Sequence, residues 1–105
     1  MTRKETAIAH VFETDDYRPD FAGWLHEHFD IYEEFERLAL AAIRRGRVRL
    51  SAKFLFELIR WQTAVSEQGA YKLNGNYSAD AARLFDHLNP QHAGMFEFRV
   101  RRATA

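Results

Sequence analysis

The sequence has no cysteine, which excludes a disulfide framework, a thiol nucleophile and thiolate metal ligands. It has no long hydrophobic run either, since the longest purely apolar stretch, Leu38 to Ile43, is far shorter than a membrane span. The N-terminal residues lack the apolar region of a signal peptide. These absences predict a soluble, cytoplasmic protein that does not bind a membrane.

A net charge is also missing, because 15 lysine and arginine residues balance 15 aspartate and glutamate residues. The charges are unevenly distributed along the chain. Residues 1–43 carry four cations and ten anions, residues 44–72 carry seven cations and two anions, and residues 73–105 carry four cations and three anions. This asymmetry predicts either a bipolar molecule or two faces that attract each other, within one chain or between the two chains of a homodimer.

No motif typical of an enzyme or of a metal site is present. The sequence lacks a nucleophile elbow, a phosphate-binding glycine loop and a zinc-protease helix. His26 and His28 are two positions apart, and residues at that spacing on a helix point in different directions, so they do not form a zinc site. We therefore expect a protein that is not an enzyme and that uses no metal or cofactor.

The spacing of the apolar residues predicts helices. At 105 residues, with 47% apolar residues and nine phenylalanines, the chain suffices for one packed core. We expect an all-α bundle of four to five helices with a helix-turn-helix-like core over residues 19–99, after a flexible N-terminal arm (1–18) and before a basic tail (100–105). Gly46 is placed to end one helix, Ser51 to begin the next, and Asn89-Pro90 to begin a short last helix.

The helix predicted to begin at Ser51 is apolar over a wide arc, which is typical of a helix covered on two sides. The face predicted to point inward contains Phe54, Leu55, Leu58, Ile59, Trp61 and Val65, and the stripe predicted to point outward contains Lys53, Phe56, Arg60 and Thr63. An outward Phe56 needs either cover from another segment of the chain, which is the simpler interpretation, or a partner surface.

This helix and the one before it, joined by a glycine-containing link, have the outline of a helix-turn-helix, in which the later helix enters the major groove of DNA. The link is longer than the usual tight turn. Arg47, Arg49, Lys53 and Arg60 are of the type that neutralises phosphates, and Phe56 is of the type that contacts thymine methyl groups. The alternative is a solvated basic face that balances the acidic N-terminal half.

An asparagine-rich loop follows, from Tyr71 to Tyr77. It contains Lys72, Asn74 and Asn76, and the two side-chain amides can form paired hydrogen bonds with adenine or with a peptide backbone. Asparagine is also common in loops because it tolerates left-handed backbone conformations, and a structural role is the simpler interpretation.

Several short motifs resemble one protein family. They are Phe21-(x)2-Trp24-Leu25, Ile31-Tyr32-(x)2-Phe35, Arg49-Leu50-Ser51-Ala52-Lys53, Ile59-Arg60-Trp61, Tyr71-Lys72-Leu73-Asn74-Gly75-Asn76-Tyr77, Ala82-Arg83-Leu84 and Gly94-Met95-Phe96-Glu97-(x)-Arg99. Over residues 20–99 the chain resembles a family of small, largely uncharacterised proteins of phages, prophages and bacteria. The resemblance implies a mobile-element context, in which small proteins commonly bind DNA or inhibit host machinery such as CRISPR defence. It draws attention to Arg60, Trp61, Lys72, Asn74, Asn76, Tyr77 and Arg83.

Two hypotheses follow from these patterns. The first is a small, non-enzymatic, helix-turn-helix-like protein of phage or mobile-element type that binds double-stranded DNA. Its candidate binding residues are Arg47, Arg49, Lys53, Phe56, Arg60, Lys72, Asn74 and Asn76. The second is a module that binds or inhibits a host protein, in the manner of an anti-CRISPR protein. It would act through an outward Phe56 or through the acidic residues Glu27, Asp30, Glu33, Glu34 and Glu36.

Overall fold

A computed structural model describes residues 2–65 and 75–96, with only the backbone described at residues 63–65 and 75. The helices are α1 (Arg3–Glu13), α2 (Phe21–Glu27), α3 (Phe29–Arg44), α4 (Ala52–Val65) and α5 (Ser78–Leu88). Two 3-10 turns, Gly75–Tyr77 and Pro90–His92, flank α5. The prediction of a small all-α single-domain bundle is confirmed. Within the described ranges no helix has both the length and the apolar character needed to cross a membrane.

Aromatic side chains form the centre of the bundle. The ring of Phe35 in α3 lies 5.5 Å from that of Phe56 in α4 and 5.4 Å from that of Phe96, measured between centroids. Phe96 in turn packs edge-on against Phe85 of α5 at 5.3 Å. Each ring removes a large apolar area from water, so these contacts hold α3, α4 and α5 together.

The N-terminal residues form a packed helix. Thr2 Oγ1 accepts a hydrogen bond from the backbone N–H of Glu5, and the Glu5 carboxylate accepts one from the N–H of Thr2, which completes a capping box. Ala7 and Val11, four residues apart on one face of α1, are buried against the bundle. The prediction of a flexible arm is therefore wrong for α1, and the predicted basic tail, residues 100–105, lies outside the described residues.

The face that α4 turns to the core agrees with the prediction at Leu55 and Ile59 but differs from it at Phe56. Phe56 is only 1% exposed, because its ring lies between those of Trp24 and Phe35, at 6.3 and 5.5 Å. Leu55 and Ile59 are buried on the same side. The predicted outward position of Phe56 is therefore wrong. The physical reason is that Phe56 fills the space between α2 and α3.

The opposite face of α4 carries three exposed apolar side chains. Phe54, Leu58 and Trp61 expose 60%, 36% and 73% of their surface, so their predicted inward positions are wrong. The predicted positions of the Thr63 and Val65 side chains lie outside the described residues. Because α4 is apolar over an arc wider than the core covers, the helical period alone does not determine which part of that arc is buried.

One buried carboxylate joins three parts of the bundle. Glu36 Oε2 in α3 accepts hydrogen bonds from the Asn89 amide at 2.7 Å and from the Tyr32 hydroxyl at 3.4 Å. The Arg3 guanidinium, at the start of α1, also pairs with this oxygen. Burial, and secondly the charge of Glu36, raise the pKa of Tyr32. Glu36 therefore belongs to the interior and not to an acidic binding surface.

Candidate nucleic-acid interface

Five exposed cations follow one another from the end of α3 to the first turn of α4. This basic segment, residues 44–53, contains Arg44, Arg45, Arg47, Arg49 and Lys53, and each of these residues is exposed. Neither aspartate nor glutamate occurs between residues 38 and 56, so the nearest carboxylate in the chain after the segment is Glu57. The sequence thus places five positive charges on the surface without a neighbouring acid in the chain.

The backbone of the basic segment is fixed at its first turn by the end of α3. Gly46 adopts φ +94°, its N–H donates to the Ile43 carbonyl at 2.9 Å, and the Arg47 N–H donates to the Ala42 carbonyl at 3.1 Å. This pattern is a Schellman motif, in which glycine takes the left-handed position without strain from a side chain. The predicted helix end at Gly46 is confirmed, and the motif fixes the direction in which the link leaves α3.

The far end of the basic segment is anchored by Leu50. This side chain is buried, and its N–H donates to the Met95 carbonyl at 2.7 Å, next to an isolated parallel bridge with Phe96. Ser51 then caps α4, because its hydroxyl oxygen accepts a hydrogen bond of 3.1 Å from the Phe54 N–H, as predicted. With Leu50 directed into the core, its neighbours in the link are left facing solvent.

Of the predicted binding residues, Arg47, Arg49 and Lys53 are exposed within the basic segment. Arg60 lies two turns further along α4 and forms an ion pair of 3.2 Å with Glu57. Burial removes Phe56 from any binding surface, which corrects its predicted contact with DNA or with a partner protein. The predicted outward stripe of α4 contained no acidic residue. In the structure Glu57 is exposed and pairs with Arg60, so a carboxylate lies beside that stripe.

The asparagine-rich loop is described only from Gly75 onward, so Lys72 and Asn74 lie outside the described residues. Asn76 is exposed in the 3-10 turn before α5. The adjacent Tyr77 is buried, its ring lies tilted against that of Trp24 with the centroids 5.2 Å apart, and its hydroxyl donates a hydrogen bond of 2.6 Å to Asp20 Oδ2. This contact places Asn76 beside the start of α2.

The sequence prediction missed the exposed apolar surface of α4, which we call the apolar stripe and define as Phe54, Leu58 and Trp61. The three residues are spaced by four and three positions, so they share one helix face. That spacing is also the signature of a core face, which is why the sequence suggested burial. The stripe begins directly after Lys53, so the exposed aromatic rings adjoin the basic segment.

A second polar cluster joins α1 to α5. The imidazole rings of His10 and His87 stack with their centroids 3.5 Å apart and their planes within 4°. His10 Nε2 also shares a hydrogen bond of 2.9 Å with the Tyr17 hydroxyl. Burial, and secondly the proximity of His87, lower the pKa of His10. The paired rings therefore favour the neutral form of His10.

Beside this cluster lies an open cleft of about 480 Å³, lined by Asp15, Asp16, Tyr17, Arg18, Pro19 and Arg83. Arg83 forms an ion pair of 3.2 Å with Asp80, which also accepts a hydrogen bond from the Arg18 N–H. Burial raises the pKa of Asp80 in spite of these partners. The lining carries charges of both signs, so it is a less suitable site for a polyanion than the basic segment.

Among residues 2–65 and 75–96, no group of three or more histidine, aspartate or glutamate side chains is arranged to hold a metal ion. Comparisons with protein-family models, with curated proteins and with solved structures found no match.

Proposed function

We propose that this protein binds DNA without catalysing a reaction, and that the basic segment makes the contacts. The observation that carries the proposal is the set of five exposed cations within residues 44–53, in a stretch of chain free of acids from residue 38 to residue 56. DNA is a dense line of negative charge, and cations that neutralise its phosphates release bound counterions, which drives association.

The N-terminus of α4 adds to this attraction. Helix α4 begins at Ala52, within the basic segment, and the partial positive charge of its first turn favours an anion there. Phosphate contacts of this kind position a nucleic acid but do not read its sequence. Base contacts through Phe56, as in the helix-turn-helix hypothesis, are not part of the proposal, because Phe56 is buried.

The proposal is tested by fluorescence anisotropy with a labelled DNA duplex at several salt concentrations. If all five cations contact phosphates, the slope of the logarithm of the binding constant against the logarithm of the salt concentration is about −4.5. The double variant Arg47→Ala/Lys53→Ala should reduce this slope by about 2 and weaken binding at low salt.

The matched control is Lys4→Ala/Arg37→Ala, which removes two cations outside the basic segment. Arg37 is exposed and pairs with Glu34 of its own helix at 2.6 Å. This control should bind DNA as the wild type does. Binding that does not respond to salt, or equal losses in the two double variants, would show that the basic segment is not a DNA-binding surface.

A second candidate function is the binding of a host protein through the acidic N-terminal half. Glu27, Asp30 and Glu33 are exposed on α2 and the first turns of α3, whereas Glu36 is buried and engaged. Such a surface would attract a basic partner. A single stoichiometric partner captured from host lysate should be lost on Asp30→Lys/Glu33→Lys, and its retention would exclude this surface.

A further inference from the structure

The apolar stripe exposes two aromatic rings to solvent, and it begins directly after the basic segment. Trp61 is 73% exposed and Phe54 is 60% exposed, which leaves one or both faces of each ring in water. The two residues are seven positions apart, so their rings lie on one side of α4 and about 10 Å apart along the helix axis. Leu58, which is 36% exposed, lies between them on the same face of the helix.

The stripe is continuous with the basic segment. Lys53 immediately precedes Phe54 and is exposed, and Arg47 and Arg49 extend from the link at the same end of α4. A polyanion held by these cations would reach Phe54 first and, if it followed the axis of α4, Trp61 two turns further on. Charge complementarity selects a nucleic acid as the occupant of the stripe, because it combines a negative backbone with flat apolar groups.

We propose that the nucleic acid bound by the basic segment is single-stranded, with its bases stacked on the rings of Trp61 and Phe54. This inference rests on the function proposed above and defines the form of nucleic acid that the site prefers. Unpaired bases expose their flat faces and stack on aromatic side chains, whereas the bases of a duplex are already stacked on one another. Exposed rings beside cations therefore favour single strands over duplexes.

A second copy of the chain fits the stripe less well. Three side chains that are exposed by 36–73% offer roughly 400 Å² per copy, about half of what each partner contributes to a stable interface. A homodimer formed through the stripe alone would therefore be weak. Its formation is one of the results that the experiments below would detect.

The first experiment compares a labelled 12-nucleotide single strand with the duplex of the same sequence at low salt. The single strand should bind about tenfold more tightly than the duplex. Trp61→Ala should weaken binding of the single strand about tenfold and leave duplex binding unchanged, because the lost stacking contributes only to the single-stranded complex. Since Trp61 is mostly exposed, this variant should keep the thermal stability of the wild type.

Phe12→Ala is the matched control. Phe12 is an aromatic residue of α1 that is 76% exposed, and it does not belong to the basic segment or to the apolar stripe. It should bind the single strand as the wild type does. Glu57→Gln should strengthen binding about twofold, because it removes the carboxylate on the exposed face of α4.

Tryptophan fluorescence supplies a direct signature of stacking. The chain has two tryptophans, of which Trp24 is buried and Trp61 is exposed. Titration with an unlabelled single strand should quench the emission. The quenching should disappear in Trp61→Phe, while the affinity changes less than threefold because phenylalanine also stacks on bases. Quenching that persists in Trp61→Phe would contradict the proposed contact.

The outcomes separate this inference from the proposed function. Salt-sensitive binding that is equal for both nucleic-acid forms, or that Trp61→Ala leaves unchanged, would overturn the stacking proposal and leave the proposed function in place. Failure of both forms to bind in a salt-sensitive manner would overturn the proposed function itself. Light scattering that shows a dimer of the wild type and a monomer of Trp61→Ala would assign the stripe to an interface between two copies instead.

Discussion

The side-chain amide of Asn89 donates a hydrogen bond of 2.7 Å to Oε2 of Glu36. Asn89 directly follows α5 and Glu36 lies in the middle of α3, so a contact across 53 sequence positions joins the two helices. Because the Arg3 guanidinium pairs with the same oxygen, the start of α1 is attached to the same point. A single carboxylate therefore connects the start of α1, the middle of α3 and the end of α5.

Glu36→Ala should lower the free energy of unfolding by about 2–3 kcal/mol, because the buried amide of Asn89 and the hydroxyl of Tyr32 lose their acceptor. Glu33→Ala is the control, since Glu33 is an exposed acid of the same helix and its removal should change stability by less than about 0.5 kcal/mol. Urea denaturation followed by circular dichroism measures both. Equal midpoints for the two variants would contradict the importance of the buried carboxylate.

The orientation of α4 is tested by two phenylalanines two positions apart. Phe56→Ala should lower the free energy of unfolding by about 3–5 kcal/mol, because it opens a cavity among the aromatic rings of the core. Phe54→Ala should cost less than about 1 kcal/mol, because Phe54 is largely exposed. If Phe56→Ala does not fold, Phe56→Leu, at about 1–2 kcal/mol, keeps the comparison measurable. A larger loss from Phe54→Ala would reverse the assignment of the faces.

Stability should fall as the pH decreases below about 6.5. The pKa of His10 is lowered in the folded protein from its ordinary value of 6.5, first by burial and then by His87, while Glu13 and Asp16 act in the opposite direction. The unfolded chain therefore binds the proton more readily than the folded protein. The contribution of His10 to the free energy of unfolding is complete above pH 6.5 and is lost as the pH falls through the lowered pKa. Thermal melting temperatures between pH 7.5 and pH 5.5 measure this loss.

His87→Phe is the informative variant for this pH dependence. It keeps a flat ring against His10 but removes the imidazole that helps to lower the pKa of His10. We expect the loss of stability between pH 7.5 and pH 5.5 to be smaller in this variant than in the wild type. An unchanged pH dependence would indicate that the stacked pair does not control the response to acid.

Tyr77→Phe should lower the free energy of unfolding by about 1 kcal/mol at neutral pH, because it removes the hydroxyl that donates a hydrogen bond of 2.6 Å to Asp20 Oδ2. Burial, and secondly the bond with Asp20, raise the pKa of Tyr77 to about 12, above its usual value of 10.0. A raised pKa means that stability is lost as the pH rises from 10 towards 12. The variant should therefore lose less stability than the wild type over this range, and an identical alkaline decline would contradict the assignment.

Features set by local chemistry could be predicted from the sequence. Glycine is the residue that takes positive φ at a helix end, and Gly46 does so at the end of α3. A serine hydroxyl satisfies the first free N–H groups of a helix, and Ser51 does so for α4. The spacing of Thr2 and Glu5 is an equally local signal for a capping box, and these two residues do begin α1.

The orientation of α4 could not be predicted, because it depends on the shape of the space left by other helices. Phe54 and Phe56 have the same side chain, and the spacing of apolar residues along the helix is compatible with the burial of either one. Phe56 is selected because Trp24 and Phe35 leave a gap of its size. The exposure of the cations in the basic segment could be expected because charged residues concentrated in the sequence usually lie at the surface. The apolar stripe, in contrast, follows only from this choice of face.

The anchoring of Leu50 lowers the conformational entropy that the basic segment loses when it binds a ligand. With its side chain in the core and its N–H bonded to Met95, and with Gly46 and Arg47 bonded to the end of α3, the main chain of the arginine-rich link is ordered before any ligand arrives. Association then restricts mainly the side chains of the arginines and the lysine, at about 0.5–1.5 kcal/mol for each one immobilised. Leu50→Ala, which loosens this anchor, would add the entropy of the link itself to that cost.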